Sequence, residues 1–271
     1  MKILKFAILA FLMLQIQLSY SQNTSTDSTE KNDLIFDEVV ISANKIEESK
    51  KMVSQQIQSL SIKQIESSQS QSTADLLSNS GNVFVQKSQS GGGSPVIRGF
   101  EANRIVLVID GVRMNNIIYR GGHLQNIITL DNNILDRVEV LFGPSSTIYG
   151  SDALGGVIYL RTKRPLLALV EKKPNIKINA FARYGSVNNE NTGHLDFNIG
   201  GKKFASLTSI TYSKFDHLKG GSNQNPFYDE RYGERPYYVD RISGKDSLVK
   251  NGNPYLQTQS GYSKYDILQK F

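Results

Sequence analysis

The 271 residues contain no cysteine, which removes disulfides, thiolate metal sites, a cysteine nucleophile and a lipid-modified N-terminal cysteine together. No apolar run approaches the length of about 20 residues that a membrane-spanning helix needs. Residues 6–14 are apolar throughout but too few, and they follow Lys2 and Lys5 and precede the small residues Ser19 and Ser21. That pattern reads as a secretory leader over residues 1–21 and implies export. No Gly-Lys-Ser/Thr follows the glycine-rich stretch 143–156, so a phosphate-binding P-loop is excluded, and no Gly-x-Ser-x-Gly elbow occurs. His123, His194 and His217 stand alone, without metal-ligand spacing, and Asp110 and Asp136 read as turn formers rather than a catalytic pair. The formal charge of +6 is spread along the chain, with no basic cluster interleaved with aromatics, so nucleic acid is not an expected partner. No enzyme, catalytic residue, resident metal or cofactor is expected.

What the chain does contain falls into four stretches after the leader. Residues 22–35 are almost all small or polar, too poor in apolar side chains to bury a core, and read as a disordered leash. Asp37, Glu38, Val39, Val40, Ile41, Ser42 and Ala43 follow within a β-prone segment, 36–43. Residues 44–165 then read as one α+β unit. A strand is expected over 56–60, with Ile57 and Ser59 opposed to Gln58 and Leu60. Ser72-Thr73-Ala74-Asp75 has capping-box spacing and opens a short helix ending near Gly81. Residues 83–85 form a strand, 86–94 a mobile glycine-rich loop, and 96–100 a short strand and bend. Residues 105–109 are apolar without alternation, which fits a strand covered on both faces and turned tightly at Asp110-Gly111.

The most informative stretch is 136–165. Val138, Val140 and Phe142 lie on one face of a strand, with Arg137, Glu139 and Leu141 on the other. Gly143-Pro144 ends it, Ser145 or Ser146 can cap a single helical turn, and residues 157–160 form the returning strand. This stretch resembles the end of the plug domain of TonB-dependent outer-membrane receptors. Thr73-Ala74-Asp75-Leu76-Leu77, Val96-Ile97-Arg98-Gly99-Phe100, Val108-Ile109-Asp110-Gly111-Val112 and Ile134-Leu135-Asp136-Arg137-Val138-Glu139-Val140 resemble further plug signatures, in order. One departure stands out. The family has an arginine before the Gly-Pro turn, thought to pair with barrel-wall carboxylates together with the one matching Arg98; here that position is Phe142. Arg98 is the remaining candidate for a plug–barrel lock.

Beyond Pro165 the pattern becomes alternating. Ile176, Ile178, Ala180, Ala182 and Tyr184 face away from Lys177, Asn179, Phe181 and Arg183, and Leu195, Phe197 and Ile199 away from His194, Asp196 and Asn198. One apolar and one polar face per strand fits antiparallel transmembrane β-barrel strands, although a soluble sheet shows the same period. Residues 204–215 and 261–271 read as two more strands, joined by a long polar, aromatic loop at 216–259. Plugged barrels have 22 strands of about 9–11 residues each, so residues 166–271 supply only the first four. The fold expected is an α+β plug (mixed sheet with short helices) followed by an incomplete β-barrel, the beginning of a longer receptor.

The resemblance implies a receptor of the outer membrane that imports a scarce nutrient, siderophore-iron or haem first among the options, with TonB as energy-coupling partner. It assigns Asp37 to Ala43 as the TonB box, whose unpaired backbone suits strand addition to a partner. It places ligand at the plug apices 87–93, 101–103 and 115–123, with Lys87, Glu101, Asn103, Tyr119, Arg120 and His123 as candidate contacts. A non-transporting surface-binding protein and a truncated plug fragment are the other readings.

Overall fold

The computed structural model describes residues 39–87, 90–101, 104–114, 127–168, 173–221, 227 and 233–271. The first strand among the described residues, β1 (Val39–Val40), is followed by a turn back to β2 (Glu48–Ser49), with which it pairs antiparallel. β3 (Ile57–Ser61) runs directly into α1 (Ile62–Ser68), because Ser61 and Gln64 form a reciprocal capping box that satisfies the first free amides of the helix. α2 (Thr73–Asn79) starts at Ser72, whose hydroxyl accepts from the Asp75 amide. β4 (Phe84–Gln86) and β5 (Ser94–Val96) make a small antiparallel pair.

β6 (Ile105–Ile109) and β7 (Val112–Arg113) form a tight hairpin through Asp110 and Gly111, at φ +48° and +87°. Two consecutive left-handed residues are what a two-residue primed turn requires, and glycine takes the second at no steric cost. β8 (Leu135–Phe142) leads through α3 (Ser146–Tyr149) to β9 (Gly156–Thr162). Gly156 is obligatory there: a Cβ would lie 2.4 Å from the Leu141 carbonyl, and its φ is +152°.

Five of these strands join in one mixed sheet, in the order β3-β8-β9-β6-β7, with β6 parallel to β9 and the other pairs antiparallel. Its two faces are covered by different parts of the chain. Ile105, Leu107, Val138, Val140, Ile158 and Leu160 share a core with Ile65 of α1, Leu76 and Leu77 of α2, and Val85. Val106, Val108, Leu141 and Val157 share the opposite core with Tyr149, Ala153 and three residues from the start of the chain, Val40, Ile41 and Ala43. β6 therefore needs no alternation, because both faces of the sheet are dry.

The second part is a four-stranded antiparallel wall in the order β10-β11-β12-β17. It consists of β10 (Asn175–Gly185), β11 (Glu190–Gly200), β12 (Ala205–Phe215) and, after the long connection, β17 (Tyr262–Lys270). The connection is more structured than the polar loop expected from sequence. It carries a hairpin, β14 (Tyr237–Ile242) and β15 (Lys245–Lys250), above a small pair formed by β13 (Leu218–Lys219) and β16 (Leu256–Gln257). The turn missed by a sequence reading is Ser243-Gly244, both at positive φ. α1 was likewise unforeseen, although the Ser61-x-x-Gln64 spacing announces it.

Side chains of the wall alternate as the sequence indicates. Glu190, Thr192, His194, Asp196 and Asn198 of β11 and Ser209, Thr211 and Ser213 of β12 are buried against the first part. Ile178, Leu195, Ile199, Ile210, Tyr212, Tyr265 and Ile267 stand on the opposite, exposed face.

Candidate functional site

Polar groups join the mixed-sheet body to the inner face of the wall. Asp131 opens the 3-10 turn before β8 by accepting from the Asn133 amide, and its other oxygen accepts from the Thr211 hydroxyl at 2.5 Å. Thr211 Oγ1 also lies 2.7 Å from His194 Nδ1, and His194 Nε2 lies 3.1 Å from Asp196. Asp196 is paired with Lys163 at 2.7 Å and accepts from Asn179. His194, which stands alone in the sequence, is thus a buried member of a network drawn from both parts.

Nearer the long connection, Gln71 donates to Glu190 at 2.7 Å, and Arg183 both pairs with Glu190 at 2.6 Å and reaches the Ser70 carbonyl. At the opposite end Asp110, at the β6–β7 turn, accepts from Lys270 of β17 at 2.8 Å and from Thr162. Burial pushes the Asp110 carboxyl up, but the hydrogen bonds from Lys270 and Thr162 outweigh it and hold it below the usual carboxylate range. Asp110 reads in sequence only as a turn former, and its pairing with Lys270 is not legible there because 160 positions separate them.

Two cavities lie along this seam. One of about 800 Å³ opens at the end with the long connection, lined by Gln71, Asp75, Lys87, Asn188, Arg235 and Tyr262 among others. A second, of about 410 Å³, lies between α1, the turn at Asn132 and the wall residues Asn179, Arg183, His194 and Asp196.

The sequence-expected ligand contacts divide accordingly. Lys87 borders the larger cavity, where it forms an ion pair with Asp75. Glu101 is partly exposed beside β6 and does not line it. Asn103, Tyr119, Arg120 and His123 lie outside the described residues. Arg98 meets no wall carboxylate among the described residues. It donates to Gln56 at 2.5 Å, and its guanidinium sits 5.3 Å from the centroid of the Phe142 ring. Phe142, where an arginine was expected, gives Arg98 an aromatic face instead of a second positive charge.

Of the segment expected to be a coupling peptide, Asp37 and Glu38 lie outside the described residues, and Val39 to Ala43 are docked. Ile41 and Ser42 donate their backbone amides to one oxygen of Glu139, at 2.9 and 2.8 Å, and Tyr149 donates its hydroxyl to the Ser42 carbonyl. Tyr159 is paired with both Glu139 and Val108 across the sheet, which puts the docked segment toward the Asp110 and Lys270 end. Glu139 was visible in sequence only as part of a motif. The signal that could have found it is a carboxylate inside the apolar run Val138 to Phe142 of a doubly covered strand.

The model of the TonB-dependent receptor plug domain matches residues 49–157, which hold α1 to α3 and the mixed sheet up to the start of β9. Over those residues the chain is similar to the plug of TonB-dependent receptors. The vitamin B12 transporter BtuB of Vibrio vulnificus is 35% identical over 158 residues, 57% of this chain and 24% of that protein. The heme/hemopexin utilization protein C of Haemophilus influenzae is 38% identical over 135 residues, 49% of this chain and 18% of that protein. The hemophore receptor HasR of Serratia marcescens, solved with its hemophore and heme, superposes on 64% of this chain and 27% of its own, with a TM-score of 0.52 at 19% identity; this likeness concerns the fold. The chain spans about a quarter or less of the length of the curated relatives it matches. Receptors of this family are outer-membrane proteins. Ile178, Leu195, Ile210 and Ile267 form an exposed apolar belt on one face of the wall, and the mixed-sheet body packs on the other, polar face, the alternation that barrel walls show.

Proposed function

We propose that the chain is the plug and first wall strands of a receptor that imports a scarce nutrient across the outer membrane. The cargo class proposed is an iron–siderophore chelate or haem, in keeping with the haem/hemopexin relative and the hemophore receptor. Energy comes from the TonB complex through residues 37–43. The observation that carries this reading is the docked segment itself. A strand-forming peptide is held at one end of a plug whose other end faces a polar cavity under the long connection. Long connections mark the extracellular side of such barrels and short turns the periplasmic side. By that rule the cavity faces outside and the peptide faces the compartment from which TonB reaches. Polar lining with Lys87, Arg235, Gln71 and Asn188 suits an anionic, hydrogen-bonding ligand.

Occupancy can favour release of the peptide only through a difference in ligand affinity between the docked and undocked plug. The test uses the full receptor in an outer-membrane host. Deleting residues 37–43 is expected to abolish uptake of a labelled ferric chelate or haem while leaving surface binding intact. Unchanged uptake would reject the coupling role. Binding of labelled cobalamin in place of both iron ligands would keep the transport reading and replace the cargo.

A further inference from the structure

Glu139 is in the middle of β8, on the face covered by Val40, Ile41, Val108 and Tyr149, and is 1% exposed. A carboxylate in such a place needs hydrogen bonds to remain there. Two come from the amides of Ile41 and Ser42, both to Oε2. Oε1 has no hydrogen-bond partner. Arg137 approaches Oε1 at 3.7 Å, and the same Nη1 donates to the Val39 carbonyl. Tyr149 completes the grip by donating to the Ser42 carbonyl at 2.8 Å. Burial, with the charge of Tyr159 and Glu139 beyond it, holds the Tyr149 phenol well above its ordinary range, so it stays a donor.

Three side chains from β8 and α3 therefore hold residues 39–42 by main-chain atoms. The sheet contributes little here, since β1 is only two residues long and ends at Val40. The docked state is finely balanced. It gains two charge-assisted hydrogen bonds, and it leaves one carboxylate oxygen dry and without a hydrogen bond, met only by Arg137 at 3.7 Å. Once the peptide leaves, water can reach both oxygens. The arrangement suits a contact that must both hold and let go.

We propose that Glu139 is the latch of the coupling segment: its carboxylate, through the Ile41 and Ser42 amides, sets how often residues 39–43 leave the plug. This rests on reading residues 37–43 as the coupling peptide, and it adds which residue of the plug controls their release. Glu139 is a positioning residue, acting through the backbone it binds.

The chain offers a clean probe. It has no cysteine, and the buried Ser42 hydroxyl makes no hydrogen bond, so Ser42→Cys replaces an unpartnered group by one of similar shape. Ala74→Cys, in the opposite core, reports on the plug as a whole. The measurement is the rate at which a charged maleimide labels each thiol in the full receptor in isolated outer membranes. Glu139→Ala is expected to raise labelling at Ser42→Cys on the order of 10–100-fold, and Glu139→Gln only a few-fold, because the amide oxygen still accepts without the charge. Labelling at Ala74→Cys should not change. An unchanged rate at Ser42→Cys overturns the proposal, and so does a parallel rise at Ala74→Cys, which would make Glu139 a support of the whole plug.

If Glu139→Ala does not assemble, Glu139→Gln and Tyr149→Phe decide. Each should give a few-fold rise at Ser42→Cys, and no rise in either overturns the latch. The coupling reading fails separately. Uptake that survives deletion of residues 37–43 removes that reading, whereas an unaltered Ser42→Cys rate in the Glu139 variants removes the latch.

Discussion

The plug sheet and the wall use the same backbone device in opposite surroundings. In β6 and β9, Val106, Leu107, Val108, Ile158 and Leu160 are all buried, because helices cover one face and the docked segment with α3 covers the other. In β11 and β12 most buried side chains are polar, among them Glu190, Thr192, His194, Asp196 and Thr211, with Leu207 and Phe215 among the apolar exceptions, while Leu195, Ile199 and Ile210 point outward. The wall is inside-out relative to the plug. Burial in this protein thus means two things: exclusion from water among apolar side chains in the plug, and enclosure within a hydrogen-bonded network at the seam. On the proposed reading, an outward leucine of the wall would meet lipid rather than water.

Truncating a leucine in each part separates the two kinds of burial most strongly. Leu160→Ala in the plug is expected to cost about 2–5 kcal/mol, through lost burial and the cavity left behind. Hydrogen exchange of the β6 and β9 amides should report that loss. Leu195→Ala on the outer face should cost far less, because lipid tails refill the space. A plug that tolerates Leu160→Ala as well as the wall tolerates Leu195→Ala would erase the distinction. Reversing polarity tests the wall directly. Leu195→Arg places a charge on the lipid face and is expected to cost about 2–4 kcal/mol near the midplane, seen as reduced heat-modifiable barrel in outer-membrane extracts.

The seam gives a smaller effect. His194→Leu strips Asp196 and Thr211 of a buried partner and should cost about 1–3 kcal/mol, measured as easier tryptic release of the plug. An apolar substitution without penalty there would mean that the seam is hydrated rather than tightly paired.

The mildest test is of pH. The Asp110 carboxyl is depressed, so its contribution is complete above the unfolded value of 3.8 and is lost as pH falls through the lower folded value. Protease resistance of the plug end at β17 should therefore decline only below about pH 4, and Asp110→Asn should flatten that decline. A decline centred at neutral pH would place control in another group.

Much of the fold was legible because local chemistry agrees with the tertiary result. Asp110-Gly111 turns as its residues demand, Ser72 caps α2, and the alternation over 176–184 and 194–199 gives the correct outward face. α1 was missed because Lys63, Glu66, Ser67 and Ser68 leave it a weak apolar face, Ile65 being its buried residue. The hairpin in the long connection was missed because polar residues there obscure a strand pattern. The site was much less legible. Glu139 lies 97 positions from Ser42, Asp131 80 from Thr211, and Lys163 33 from Asp196, and nothing in the local sequence of any of these names its partner.

Local chemistry specified most of the elements and their faces, α1 and the β14–β15 hairpin excepted, since turn chemistry, capping and the two-residue period act over a few neighbouring positions. The sequence also carried the resemblance to the plug domain, through phrases that preserve those local devices in order. Only the tertiary structure decided which charges are buried together and that residues 39–43 are clamped to Glu139 rather than hanging free. Such contacts arise when distant strands are stacked in register, and the energy of a buried charge depends on partners that the chain brings to it only on folding.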